Sequence, residues 1–232
     1  MSAELERFYE LLDVLAAQPG QGRMLAECSG GSAWPARGVY FFREPGEYRS
    51  PRSKGLRVVR VGTHAVSANS RSTLWDRLRA HRGRRDGGGS HRSSIFRLHV
   101  GTALIARDGT EVGALPSWGL GSSAPRSIVA GEAAHERRVS EYLGRMSVLW
   151  VAVPDEAGPK TSRAYVERNA IALLSNALRP VDQPSKEWLG LHSPRAEIRR
   201  SGLWNLNHVD ERCDPDLLET LSGFVSRTLA LR

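Results

Sequence analysis

Gly38-Val39-Tyr40-Phe41-Phe42-Arg43 and Leu56-Arg57-Val58-Val59-Arg60-Val61-Gly62 are two apolar runs of strand length, rich in β-branched and aromatic residues. Between them, Glu44-Pro45-Gly46 and Ser50-Pro51-Arg52 are turn-formers. The pair therefore reads as antiparallel strands joined by a long hairpin loop, Glu44 to Lys54.

Downstream, Ser72 or Thr73 offers a cap for a short helix from Thr73 to Arg82, with Leu74, Trp75 and Leu78 facing inward. Arg77 and His81 are four apart and share one face of it. Arg84-Arg85-Asp86-Gly87-Gly88-Gly89 breaks the helix into a basic loop, and a further helix is expected from Ser94 to Ala106, although Val100-Gly101-Thr102 weakens it. Gly113 to Gly131 reads as a surface loop. A helix from Glu132 to Leu143, a strand from Ser147 to Val153 and a helix from Thr161 to Leu178 follow. Val166, Ala170, Leu173, Leu174 and Ala177 form the apolar stripe of that last helix, and Glu167 sits beside the stripe, where it could reach a cleft.

Upstream, Leu5, Phe8, Leu11, Leu12 and Leu15 mark an amphipathic helix from Ser2 to Ala17. Past Pro180 the pattern is irregular through Trp188, Trp204 and His208, and a final helix runs from Pro215 to Leu231. Nothing repeats internally.

Charge narrows the function. The 232 residues carry a net +8 with an isoelectric point near 10.2, which points to an anionic partner. Between Arg71 and Val100 there are eight arginines against two aspartates, so this stretch supplies +6 of that total. Such clustering is what a phosphate-backbone binder shows, and a solvated basic surface is the plain alternative. Charged residues from Glu4 to Asp13 exclude a secretory signal or a membrane span at the amino terminus, so no membrane partner is expected. Cys28 and Cys213 are far apart and match no metal-ligand spacing, so neither a disulfide framework nor a zinc site is suggested. A soluble, cytoplasmic protein is the expectation. Its oligomeric state does not follow from the pattern.

Taken in order, these elements resemble the GIY-YIG nuclease family, with features of both its restriction-enzyme-like and its homing-endonuclease members. Gly38-Val39-Tyr40 stands for the GIY triplet and Arg60-Val61-Gly62 stands where YIG is expected. Arg77 and His81 look like the arginine and histidine of the family's first core helix. Ser90-His91-Arg92-Ser93-Ser94-Ile95 is similar to a His-Ser-Ser-Ile segment of some homing-endonuclease members, and Glu167 matches the metal-binding glutamate. No single motif is specific; their order carries the likeness, which spans Arg37 to Leu178. The resemblance implies an α+β fold, a small antiparallel three-stranded sheet flanked by helices, with helical amino- and carboxy-terminal extensions. On this reading residues 1–33 are an amino-terminal helix and linker, 34–180 the nuclease-like domain and 181–232 an extension packed on the core.

The implied chemistry is Mg²⁺-dependent hydrolysis of phosphodiester bonds in DNA, duplex or branched, with RNA as an alternative substrate and Mn²⁺ as a substitute metal. The resemblance makes Tyr40 the base that takes a proton from water. A phenol does this near neutrality only beside positive charge, which Arg77 and Arg60 offer. Glu167 would hold one Mg²⁺ whose other ligands are waters and phosphate oxygens, and the metal can stabilise the leaving oxygen as a Lewis acid. Arg77 offers a planar fork for the scissile phosphate, and His81 could orient the water or the tyrosine. Arg71, Arg79, Arg82, Arg84, Arg85, His91 and Arg92 are candidate nucleic-acid contacts. Asn169 and Asn176 are both candidates for the family's late asparagine, and His64 is a further candidate site residue.

Plainer roles exist for each. Tyr40 taken alone is a packing strand residue with its hydroxyl at the surface. Glu167 could pair with Arg163 one turn earlier, and His81 could cap its helix. Trp188 and Trp204 could stack on bases, or plug the carboxy-terminal segment onto the core, which their size favours. The departure at Arg60, where the family usually has tyrosine, and the basic stretch each leave an alternative to an active nuclease. One is an inactive nucleic-acid-binding module of the same fold; the other is a basic scaffold that binds an acidic partner.

Overall fold

In a computed structural model of the chain, which describes residues 2–49, 55–109 and 115–231, the two apolar runs are neighbours in one antiparallel sheet. Its strands are β1 (Arg23–Met24), β2 (Gly38–Tyr48), β3 (Leu56–Gly62) and β4 (Ser147–Ala152), in the order β1-β4-β2-β3. Helices α1 (Ala3–Ala16), α2 (Leu74–Arg82), α3 (Ile95–Arg107), α4 (Arg126–Gly144), α5 (Ser162–Leu174), α6 (Ala196–Ser201) and α7 (Leu217–Leu229) surround it. The class is α+β, as expected, but among the described residues the sheet has four strands and not three. The extra strand, β1, pairs Arg23 with Val148 and Met24 with Ser147, and two exposed residues are too few to show a period in sequence.

Gly38 to Phe42 of β2 are all buried because both faces of the sheet are covered there. Side chains alternate across a strand, so Val39, Phe41, Leu149 and Val151 face one apolar layer with α1, α5 and α7. Tyr40, Phe42, Val59 and Val148 face a second layer with α2, α3 and α4. Gly38 is required where β2 meets β4, since a Cβ there would stand 2.4 Å from the Val151 carbonyl oxygen. Trp188 and Trp204 are buried in the second layer, so the carboxy-terminal segment completes it.

The expected turn at Glu44-Pro45-Gly46 is instead part of β2. The register passes from Arg43 opposite Val58 to Tyr48 opposite Leu56, so residues 44–47 bulge out opposite Arg57 alone. Pro45 and Gly46 are exposed there, with Gly46 at φ 88°. The second expected turn, Ser50-Pro51-Arg52, lies outside the described residues, as does Gly113 at the start of the expected surface loop.

α2 begins with a capping box in which Thr73 and Asp76 bond each other's backbone N–H. α4 begins at Arg126, earlier than the Glu132 read from the pattern, with Pro125 at the cap, where its missing N–H costs nothing. α5 stops at Leu174, short of Leu178. Ser175 turns to extended backbone, and Asn176 Oδ1 takes the N–H groups of Val181 and Asp182. Among the described residues, no helix is long and apolar enough to cross a membrane.

Candidate active site

Tyr40 lies on the β2 face that meets α2. Opposite it in β3 is Gly62, where a Cβ would stand 2.2 Å from the tyrosine hydroxyl. The glycine is thus the space into which the phenol fits. His81 belongs to the same buried face of α2 as Leu74 and Leu78, which brings its Nε2 to 2.8 Å from the Tyr40 hydroxyl. Its other ring nitrogen, Nδ1, lies 2.7 Å from the Ser94 hydroxyl. Ser94 is also the cap of α3 and accepts the N–H of Arg97. The result is a continuous chain from Ser94 through His81 to Tyr40, with none of the three more than marginally exposed.

Burial holds His81 well below the usual imidazole range, reinforced by the charges of Arg60, Arg77 and Arg97. It is therefore neutral, with one nitrogen a donor and the other an acceptor. Such an imidazole can either receive the tyrosine proton or donate to the tyrosine oxygen. His81 is thus a partner of Tyr40, not a helix cap, and the Tyr40 hydroxyl is not at the surface.

Next to this chain is a cavity of about 280 Å³, lined by residues that include Arg60, Thr63, Arg77, His99, Glu167 and His208. Glu167 projects into it from α5, and its Oε1 accepts the Thr63 N–H at 3.2 Å. Thr63 is fixed in turn by a 2.9 Å bond from its hydroxyl to the Gly38 carbonyl. Burial pushes the Glu167 carboxyl up, against the pull of Arg60, the Thr63 N–H, His208 and Arg77. Arg163, the plainer partner for Glu167, pairs with Asp155 and bonds the His64 carbonyl instead.

Arg60 donates from one terminal nitrogen to the Trp204 carbonyl at 2.6 Å and lies 4.7 Å over the Phe96 ring. Its Nε, the Nε of Arg77 and the Nε2 of His99 are buried with no partner among the described residues. Orphaned polar groups of this kind are costly unless a ligand or water meets them. Two guanidinium donors and one carboxylate on one cavity wall suit a phosphodiester and a cation.

Among the described residues no three His, Cys, Asp or Glu side chains gather as a metal cluster. The cation that fits is one that accepts a single carboxylate and completes its shell with waters and phosphate oxygens, as Mg²⁺ does. Glu167 has an oxygen left for it, because only Oε1 is hydrogen-bonded among the described residues.

The remaining candidates scatter. His91 is buried, with both its N–H and Nδ1 on Glu136 and Nε2 accepting from Gly119 N–H. Arg92 is held by both oxygens of Glu132. Arg82 donates to the Cys28 carbonyl and lies over the Trp75 ring. Arg71, Arg79, Arg84 and Arg85 are exposed, Arg79 beside Asp76 and Arg84 beside Asp86. Asn169 ties Asp214 N–H to α5, Asn176 organises the turn after α5, and His64 bonds the Ala36 carbonyl. None of these three lines the cavity.

The sequence reading did not single out Ser94, Thr63, His99 or His208 as site residues. Ser94 lies inside the Ser90–Ile95 segment, and His208 ends the stretch Ser201 to His208, whose mix of aromatic, basic and amide groups is its only signal. Asn205 from the same run binds the backbone of β3, accepting from Val61 N–H and donating to its carbonyl.

Comparisons with curated proteins and with solved structures return no match. A family model described as GIY-YIG domain matches residues 1–231, so the chain belongs to the GIY-YIG nuclease family.

Proposed function

We propose that this protein is a DNA endonuclease that hydrolyses phosphodiester bonds with Mg²⁺, in the cytoplasm. The observation that carries this reading is the pairing of a buried Tyr40–His81–Ser94 hydrogen-bond chain with a neighbouring cavity that holds Glu167 and the unpartnered Arg60 and Arg77 donors. Tyr40 acts as base toward the attacking water. Its neutral imidazole neighbour receives or balances that proton, and Ser94 fixes the ring.

Arg77 and Arg60 bind the phosphoryl oxygens and stabilise the charge that grows on them. Arg60 stands where the family usually has tyrosine. It cannot be a base, since guanidinium does not deprotonate in proteins, so its contribution is positive charge. Glu167 would hold the cation, which supplies further Lewis-acid stabilisation when bound. Tyr40 has no exposed surface, so turnover through it requires the packing around its hydroxyl to admit water. Free Cys28 and Cys213 fit a reducing compartment.

The test is cleavage of duplex, branched and single-stranded DNA with Mg²⁺ or Mn²⁺. The parent is expected to cut, and Tyr40→Phe, Arg77→Ala and Glu167→Ala each to lose about 10²-fold or more, as removal of one catalytic group typically does. Equal cleavage by parent and variants would sink this mechanism. Salt-sensitive binding without cleavage in any metal would mark an inactive binding module.

A further inference from the structure

Hydrolysis needs a proton at the leaving oxygen as well as a base for water. Tyr40 and His81 have no exposed surface, so they are poorly placed to serve both ends. Of the two histidines on the cavity wall, His99 and His208, the second is differently arranged. His208 lies between α6 and α7 with φ 65°, a left-handed backbone that histidine and asparagine adopt more readily than most residues but still at a cost.

Its Nδ1 is 2.8 Å from Glu211 Oε1, and its side chain is one-third exposed, at 34%. Glu211 is bonded also by Arg168. The hydrogen bond from His208, helped by that arginine, holds its carboxyl below the ordinary range, so it stays ionised. Nε2 of His208 has no hydrogen bond among the described residues. The ring faces the cavity that holds Glu167 and Arg77. It also borders a groove of about 920 Å³ that carries Lys160, Arg168 and Arg212. A carboxylate that fixes one nitrogen of a histidine and leaves the other free at the site of reaction is an arrangement suited to proton transfer.

We propose that His208, oriented by Glu211, is the general acid that protonates the leaving oxygen, a role that rests on the hydrolytic reading above. The water oxygen bonds to phosphorus while its proton goes to the Tyr40–His81 side. The bond from phosphorus to the leaving sugar oxygen breaks, and its electron pair stays on that oxygen. The imidazolium of His208 gives its Nε2 proton to the same oxygen, forming a hydroxyl. The ring, neutral with Nδ1–H still on Glu211, regains a proton from solvent.

The experiment compares DNA with the normal linkage at the mapped cleavage site against DNA in which the leaving oxygen is replaced by bridging sulfur, at the 3′ or the 5′ position. A thiolate leaves without protonation. His208→Asn, which tolerates the left-handed backbone, is expected to cut the oxygen linkage about 10²-fold or more slowly than the parent. It should cut the sulfur linkage within a few-fold of the parent rate. Glu211→Gln should show the same pattern with a smaller loss. The ratio of the two rates within one preparation cancels any loss of folded protein. An equal loss on both linkages would overturn the proposal in favour of a phosphate- or metal-positioning role, and so would no loss on the oxygen linkage. If the parent cuts neither linkage, it is the hydrolytic reading that fails.

Discussion

At Gly62 the absence of one methyl group decides whether the site exists. Tyr40 and Gly62 are register partners, and the phenol hydroxyl occupies the place a Cβ at 62 would take, 2.2 Å away. The neighbour that would have to give is not a flexible chain end. It is a ring fully buried against Phe42 and tied to His81. Gly62→Ala is therefore expected to destabilise the fold by about 1–3 kcal/mol, as overpacking does, and to abolish cleavage by parting Tyr40 from His81. Denaturant unfolding beside the cleavage assay checks both effects. An alanine variant as stable and as active as the parent would mean that the ring moves freely, against the packing described. Arg60 shows the opposite case, in which one substituted residue is absorbed. Its guanidinium finds the Trp204 carbonyl and the Phe96 face, so the departure from tyrosine leaves β3 intact and adds charge to the cavity.

Among the elements, the β2 bulge does the most to join distant parts of the chain. Residues 44–47 leave the ladder, which turns Glu44 and Glu47 inward while Pro45 and Gly46 stay outside. Glu44 accepts from the Tyr142 hydroxyl and from the indoles of Trp188 and Trp204, and Glu47 accepts from Arg57 and Ser185. Burial pushes the Glu44 carboxyl up to about 7, against the hydrogen bonds from Tyr142 and Trp188. A carboxyl raised on folding binds more protons in the native state, so its contribution to stability falls as pH rises from the unfolded value near 4.5 through about 7. Glu44→Gln cannot titrate. Its unfolding free energy should gain on that of the parent by on the order of 3 kcal/mol across this window, and a difference that stays flat with pH would contradict the burial of a titrating carboxyl. Strands β2, β3 and β4, α2 with Arg77 and His81, and Glu167 on α5 were legible in sequence because each is a local period or spacing. The bulge was not, since Pro and Gly mark a turn and an exposed bulge alike. Neither were the partners of Glu44 or the place of His208, because those contacts join segments 98 to 160 residues apart or depend on how a loop returns to the sheet.

For the whole molecule, the sheet is buried on both faces and much of the charge is spent inside. The basic stretch from Arg71 to Val100 loses Arg92 to Glu132 and Arg97 to Glu136, so the cations left for a polyanion are fewer than composition implies. Buried imidazoles are the other hidden charge. Burial holds His64 and His99 down to about 4 and lowers His135, while His81 is held well below its usual range. A histidine whose folded value is depressed adds stability above its unfolded value near 6.5, and that stability is lost as pH falls toward the folded value. Glu44 works the other way over part of the same range, as do Glu167 and Asp182, whose carboxyls burial also pushes up, but the carboxyls of Glu132, Glu136 and Glu211 are held down by their partners and side with the four imidazoles. The midpoint of thermal or urea unfolding is thus expected to drop as pH falls from 6.5 to 4, and to drop more steeply in Glu44→Gln, where one of the opposing carboxyls is gone. His99→Gln should flatten the dependence by its own share, since glutamine fills the site without a charge to acquire. A midpoint unchanged or rising between pH 6.5 and 4 in the parent would show that these rings take up protons without opening the fold, and the neutral His81 on which the Tyr40 relay depends would have to be reconsidered with them.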